Sequence, residues 1–111
     1  MKNTGPVDLT NISLVDDLTT QLGAGYVGLS ATSPAVTIVA STATMTPSLD
    51  PAFNGMGNND LFAGAATDLL EPGQEVKVNV TIEVDPNLAT YPMMNQATAT
   101  GDGLDLSLIH I

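Results

Sequence analysis

Between Glu75 and Asp85 the residues alternate strictly. Val76, Val78, Val80, Ile82 and Val84 fall on one parity, and Glu75, Lys77, Asn79, Thr81, Glu83 and Asp85 on the other. Successive side chains of a β-strand point to opposite faces, so this period places five branched apolar groups on one face and every polar group on the other. Ten such residues extend for roughly 33 Å, long for a strand in a small domain. Burying five branched side chains at ~1.5–3 kcal/mol each gives on the order of 10 kcal/mol before conformational entropy is charged. A strand of this kind needs a second apolar layer to cover it.

The rest of the chain offers strands for that layer. Val7–Leu18 (VDLTNISLVDDL) reads as strand, but Val7 and Leu9 share one parity and Ile12 and Leu14 the other. A bulge or kink near Thr10-Asn11 is needed to keep both pairs in the core. Thr19–Gly28, with three glycines, reads as loop, and AVTIVA within Leu29–Ala40 as a strand buried on at least one face. Thr42–Gly64, rich in Pro, Gly and Asn, looks least ordered. Within it Asn54-Gly55 is the dipeptide of a type I′ turn, and Leu61-Phe62 is expected to tuck back as an anchor. Glu71-Pro72-Gly73-Gln74 predicts a tight turn in which Pro72 fixes φ and Gly73 takes positive φ. Asp85-Pro86-Asn87 ends the long strand, and Asn95–Thr100 alternates Ala and Thr as a final strand with a small-residue face. Strands separated by Gly/Pro/Asn turns predict an all-β, antiparallel sandwich.

Composition narrows the chemistry. The chain has 111 residues, no cysteine, four aromatics, and twelve acidic residues against two lysines and no arginine, for a formal charge of −10. That length makes one domain with one core. Phosphate backbones repel such a surface, so neither nucleic acid nor an anionic membrane is an expected partner. The absence of cysteine removes disulfides and thiolate metal sites. No apolar run reaches the ~20 residues of a membrane span, so direct membrane insertion is not expected. The start, MKNTGPVDL, lacks the apolar core of a signal peptide.

The order of motifs resembles a known family. The turn Asn3-Thr4-Gly5, the strand LTNISLVDDL, the Gly/Asn loop before Leu61-Phe62, the run LLEPGQEVKVNVTIEV and finally NQATATG are similar to a repeat domain of bacterial surface proteins. That family is catalogued as domain of unknown function, family eleven. Leu70–Gln74 and Asn95–Ala97 carry the resemblance most sharply, and it spans Asn3 to Gly101. It implies an immunoglobulin-like β-sandwich. In the family the Asn-Thr-Gly turn ends a strand preceded by another, and here only Met1-Lys2 precede it. The expected domain is therefore residues 1–103, truncated at its N-terminal edge, with exposed apolar surface there. Residues 104–111 read as a non-native tail, because LSLIHI resembles the translation of a transposon-end sequence used in sequencing libraries.

Few residues are candidates for a site. His110 is the only histidine and lies in that tail, so no nucleophile–histidine pair can be built and no two-histidine metal site exists. Gly23-Ala24-Gly25 and Gly101-Asp102-Gly103 lack the helix and lysine of a phosphate loop and read as turns. Asp16-Asp17 could pair for acid–base work or bind calcium, but a solvated strand end is the plainer reading. Asn58-Asn59-Asp60 offers oxygen ligands without the spacing or closing glutamate of a calcium loop. Calcium is thus the one alternative to an expected absence of cofactors. Glu75, Lys77, Glu83 and Asp85 read as a wet strand face. Tyr91 with Met93-Met94 reads as filling between sheets or, second, as a contact surface. Asn11-Ile12-Ser13 and Asn79-Val80-Thr81 match the glycosylation sequon by pattern, but both fall on expected strands.

No catalytic, cofactor or metal residue is assigned, and the chain is not expected to be an enzyme. The expected role is a structural repeat module of a secreted or cell-surface protein, a spacer whose partners are neighbouring repeats of the same chain, with export signal and anchor outside it. The alternative is an adhesion module binding a glycan or protein through residues 42–64, where Phe53 and Phe62 are the only aromatics to stack on a sugar. Deleting Leu106–Ile111 is expected to leave the melting temperature unchanged or raise it; a clear fall in a thermal melt would make the tail a native strand.

Overall fold

The computed structural model describes residues 1–32, 34–64, 67–89, 94–102 and the backbone of 109–110. Along these run β1 (Lys2–Asn3), β2 (Leu9–Val15), α1 (Leu18–Leu22), β3 (Tyr26–Leu29), β4 (Val36–Ser41), β5 (Leu69–Leu70), β6 (Val76–Val80), β7 (Ile82–Val84), β8 (Thr98–Asp102) and β9 (Ile109–His110). Every strand pairing is antiparallel. The chain is thus mostly β, with one short helix.

The strictly alternating segment forms a ribbon that keeps its parity but breaks at Thr81 into β6 and β7. Val76 is fully buried, and Val78, Val80, Ile82 and Val84 are half-buried, while Lys77, Asn79, Thr81 and Glu83 are exposed. The break lies in the partner. β3 pairs with β7 from Tyr26↔Val84 to Leu29↔Ile82, and β4 pairs with β6 from Val36↔Val80 to Ser41↔Val76. The Ser30 N–H donates to the Thr81 carbonyl, and the Thr81 N–H donates to the Ala35 carbonyl, each at 2.8 Å. β3 and β4 therefore lie end to end along one ribbon, and the chain between Ser30 and Ala35 leaves and returns at the same residue.

A second sheet, in the order β5-β2-β8, has β2 at its centre. The bulge demanded by the parity change is present. The β2–β8 register shifts between Thr10 and Ser13, and Asn11 takes φ +46°, the left-handed region that asparagine tolerates best among residues with a Cβ. The shift turns Leu9, Ile12 and Leu14 all inward. Ala97 and Ala99 pack beside them, and a Cβ on Gly101 would stand only 3.1 Å from that of Leu9. Met1, Leu70, Val76, Leu18, Tyr26, Phe53, Leu61 and Phe62 complete one apolar cluster, against which Val36, Ile38, Val78, Val80 and Ile82 pack.

Three local expectations are corrected. Thr19–Gly28 is not loop: Asp17 caps the single-turn helix α1 by accepting from the Thr20 N–H, a 3-10 turn follows at Gly23–Gly25, and β3 starts at Tyr26. One helical turn is too short to leave a 3.6-residue pattern in the sequence. Asn54-Gly55 is not a type I′ turn, because only Gly55 has positive φ. Instead Asn54 Oδ1 accepts from the N–H groups of Met56 and Asn58, and Gly55 packs so tightly that a Cβ would lie 2.5 Å from Leu18 Cδ1. Nor is Thr42–Gly64 loosely held: Ser48–Asp50 and Leu61–Ala63 exchange backbone hydrogen bonds, and Phe53, Leu61 and Phe62 are buried. The Leu61-Phe62 anchor is present as expected, as is the turn at 71–74, with the Gln74 N–H donating to Glu71 O at 3.0 Å and Gly73 at φ +82°.

At the N-terminal edge Lys2–Asn3 is a short strand, and the turn expected from Asn3 follows it, with bends at Gly5, Pro6 and Val7. Asn3 N–H donates to Gln74 O, Gly73 N–H to Asn3 O, and Val76 N–H to Met1 O, while the Met1 ammonium donates to Val76 O at 2.9 Å. The opposite side of β1 pairs with β9, Lys2↔His110 and Asn3↔Ile109; the remainder of the LSLIHI run lies outside the described residues. The Asn3 side chain is completely buried. Its Nδ2 donates to the carbonyls of Val7 (2.7 Å) and Leu70 (2.9 Å), and its Oδ1 accepts from the Gly5 N–H (3.0 Å). Replacing it strands buried backbone groups. Asn3→Ala is expected to cost about 2–4 kcal/mol in urea unfolding, and a loss below about 0.5 kcal/mol would show that water takes over these bonds.

Candidate functional site

The parity that carries Ile12 and Leu14 inward continues to Asp16, so the end of β2 delivers a carboxylate to the interior. Asp16 is 5 % exposed, which corrects the solvated strand end expected for Asp16-Asp17. Its Oδ2 accepts from Asn95 Nδ2 at 2.9 Å, and its Oδ1 has no hydrogen-bond partner among the described residues. Burial raises the Asp16 pKa; the Asn95 bond opposes that shift, and the charge of Asp17 adds to it. Tyr26 is also buried, and burial, with a contribution from Asp16, raises its phenol as well. Asp17 does not share the buried site, because both its oxygens accept from Thr20 at the start of α1.

The segment from Asn54 to Asp60 closes over this end. Tyr26 Oη donates to Asn54 O at 2.6 Å, the Thr19 N–H to Gly55 O at 3.1 Å, and the Asp16 N–H to Asn59 O at 2.8 Å. Asp60 is a clasp. Its Oδ1 accepts from the N–H groups of Leu14 and Phe62, and its Oδ2 from the Ser13 hydroxyl at 2.6 Å. The acidic member of Asn58-Asn59-Asp60 is thus engaged with strand β2. Among the described residues no three His, Cys, Asp or Glu side chains stand where they could hold a metal ion together.

Phe53 and Phe62 are buried, at 4 % and 2 % exposure, and present no face for a sugar to stack on. Met45 and Met56 are the exposed large hydrophobic side chains of that segment. Tyr91 and Met93 lie outside the described residues, while Met94 is 74 % exposed and fills no space between sheets. Of the sequon asparagines, Asn11 is exposed and donates to Asp102 Oδ2 at 2.8 Å, and Asn79 is exposed on the outer face of β6. The wet strand face carries an ion pair, Lys77–Glu75 at 3.7 Å and largely exposed, which contributes little. The side chain of His110 is not described.

Two clefts flank β4. One, of about 430 Å³, has walls of Met1, Leu14, Val39 and Val78 with Glu75 and Lys77 also lining it. The other, of about 370 Å³, is lined by Leu29, Val36, Leu49, Pro51 and Phe53 with Asp50 as its only charge. Neither includes Asp16. The chemistry within reach at the Asp16 end is proton uptake by a buried acid beside a phenol; the clefts offer apolar contact. Sequence reading missed both the Asp16 burial and the Asp60 clasp. The Ile12, Leu14, Asp16 parity was a usable signal for the first, whereas no periodicity marks the second.

Compared with known proteins, the chain matches no family model, no curated protein and no solved structure.

A raised folded pKa means that the stability linked to Asp16 is fully present below the unfolded pKa of an aspartate, about 3.9, and is lost as pH rises through the folded value. Asp16→Asn mimics the protonated acid and keeps an acceptor for Asn95. The stability of this variant relative to the wild type is expected to improve as pH rises from below the unfolded value through the folded one; denaturation curves with a pH-independent difference would contradict the assignment.

Proposed function

We propose that this chain is a structural module of a larger secreted or cell-surface bacterial protein, its two sheets making an immunoglobulin-like β-sandwich of the kind its motifs resemble. Its role would be to space and orient neighbouring modules of the same polypeptide. The observation that carries the reading is how the interior polar groups are used. Asn3, Asp60 and Tyr26 each bind backbone of a distant segment, and Asp16 ties β2 to Asn95. Such bonds fix a shape. The principal extents of 45 × 26 × 22 Å suit a spacer.

A glycan-binding role has lost its aromatic platform with the burial of Phe53 and Phe62. A protein-binding role for residues 42–64 would rest on Met45 and Met56 alone.

The reading is tested in the parent protein by exchanging this module for an unrelated β-domain of similar length and terminal spacing. Export and the activity of the remaining domains are expected to survive the exchange. Loss of a binding or catalytic activity that the substitute fails to restore would reject a spacer role.

A further inference from the structure

We propose that Asn54-Gly55 is a guarded modification site, where the Asn54 carboxamide deamidates once the segment from Asn54 to Asp60 lifts off the core, marking the opened chain irreversibly. Of the asparagines in the chain, only Asn54 is followed by glycine. A side chain on the following residue hinders its nitrogen from reaching the carboxamide carbon, and glycine has none. The fold itself requires glycine here. Gly55 has φ +70°, and a Cβ would stand 2.5 Å from Leu18 Cδ1 and 2.9 Å from Tyr26 Oη. The residue that lets the loop pack is therefore also the one that makes Asn54 reactive.

In the reaction the Gly55 amide nitrogen gives up its proton and attacks Asn54 Cγ. The N–Cγ bond forms, the Cγ–Nδ2 bond breaks, and Nδ2 leaves with that proton as ammonia. Water then opens the cyclic imide at either carbonyl. Attack at Cγ gives an aspartyl residue; attack at the main-chain carbonyl gives an isoaspartyl residue, whose backbone is one methylene longer.

The closed loop blocks the first step. One rigid peptide plane carries the Asn54 carbonyl and the Gly55 N–H, and both ends are held. The carbonyl accepts from Tyr26 Oη at 2.6 Å, and the N–H donates to Asn58 O at 3.2 Å. The carboxamide is pinned as well, its Oδ1 accepting from the N–H groups of Met56 (2.9 Å) and Asn58 (3.1 Å). For Gly55 N to reach Cγ, this plane must turn and release Tyr26 and Asn58. Water is at hand throughout, since Asn54, Met56 and Gly57 are exposed. Local opening of the segment is thus the gate.

The two products differ in their fit. Both loop bonds of the carboxamide end on its oxygen, which a carboxylate supplies equally, so the aspartyl form recloses. The extra methylene of the isoaspartyl form shifts the Asn54 and Gly55 carbonyls from Tyr26 Oη and from the Thr19 N–H, which donates to Gly55 O at 3.1 Å. That form stays open.

The experiment follows deamidation of the full chain in mildly alkaline buffer by peptide mapping with mass spectrometry. The native chain is expected to react at least roughly tenfold more slowly than the chain in urea. Tyr26→Phe frees the peptide plane, and Ser13→Ala removes the 2.6 Å bond to Asp60 that clasps the segment. Each is expected to raise the native rate roughly threefold or more at a temperature where circular dichroism shows the variants folded, and either suffices if the other misfolds. Asn54→Asp is expected to melt with the wild type, and the purified isoaspartyl product to melt lower. The proposal is overturned by equal rates in buffer and urea, by rates unmoved in the folded Tyr26→Phe and Ser13→Ala variants, or by an isoaspartyl product that melts with the wild type. An Asn3→Ala chain that deamidates as fast as Tyr26→Phe would make global unfolding the gate and overturn it too.

Discussion

Asn3 is the side chain on which the N-terminal edge of the molecule depends. One carboxamide, fully buried, reaches the carbonyls ahead of β2 and at the end of β5 and holds its own turn through Gly5. Its backbone meanwhile bonds Gly73 and Gln74. The turn at 71–74, the approach to β2 and the β5 edge are thereby registered against a single residue. A buried amide left partly unsatisfied costs more than its bonds contribute when made, so this arrangement tolerates little slippage. It ties β1 to the turn preceding β6, and Val76, the innermost residue of the ribbon, is bonded to Met1 in the same ladder.

The acidity of the chain has a structural use that bulk charge does not reveal. With two lysines available, ion pairs are scarce, and the carboxylates act as acceptors for turns and caps. Asp17 caps α1, Asp50 accepts from Ala52, Asp85 from Asn87, and Asp60 joins its own turn to Leu14. Each accepts a bond from a backbone N–H two or three residues away or, for Leu14, from strand β2. This is the local chemistry that makes aspartate a turn-former. The acidic composition thus also builds the loops.

Legibility from sequence followed the range of the interactions. The ribbon, the bulge at Thr10–Ser13, the turn at 71–74 and the Leu61-Phe62 anchor were readable because parity, or a Pro-Gly pair, encodes them within a few residues. The break at Thr81 was not readable, because the partner strand is interrupted and the ribbon is continuous in pattern. Nor was α1, which owes its single turn to the Asp17 cap and to Leu18 packing in the core. The candidate site was poorly legible. Asp16 carried a signal in its parity with Ile12 and Leu14, but its side chain bonds Asn95, far along the chain. The roles of Asn3 and Asp60 arise from segments brought together only by the complete fold.

The excursion between Ser30 and Ala35 has a practical corollary. Both of its ends are fastened to Thr81, so the length of what lies between them is decoupled from the ladder on either side. Loop closure grows costlier only slowly with added residues. A foreign peptide spliced in at this point would be presented on a closed, two-point mount, making the domain a natural carrier for grafted epitopes or reporter tags.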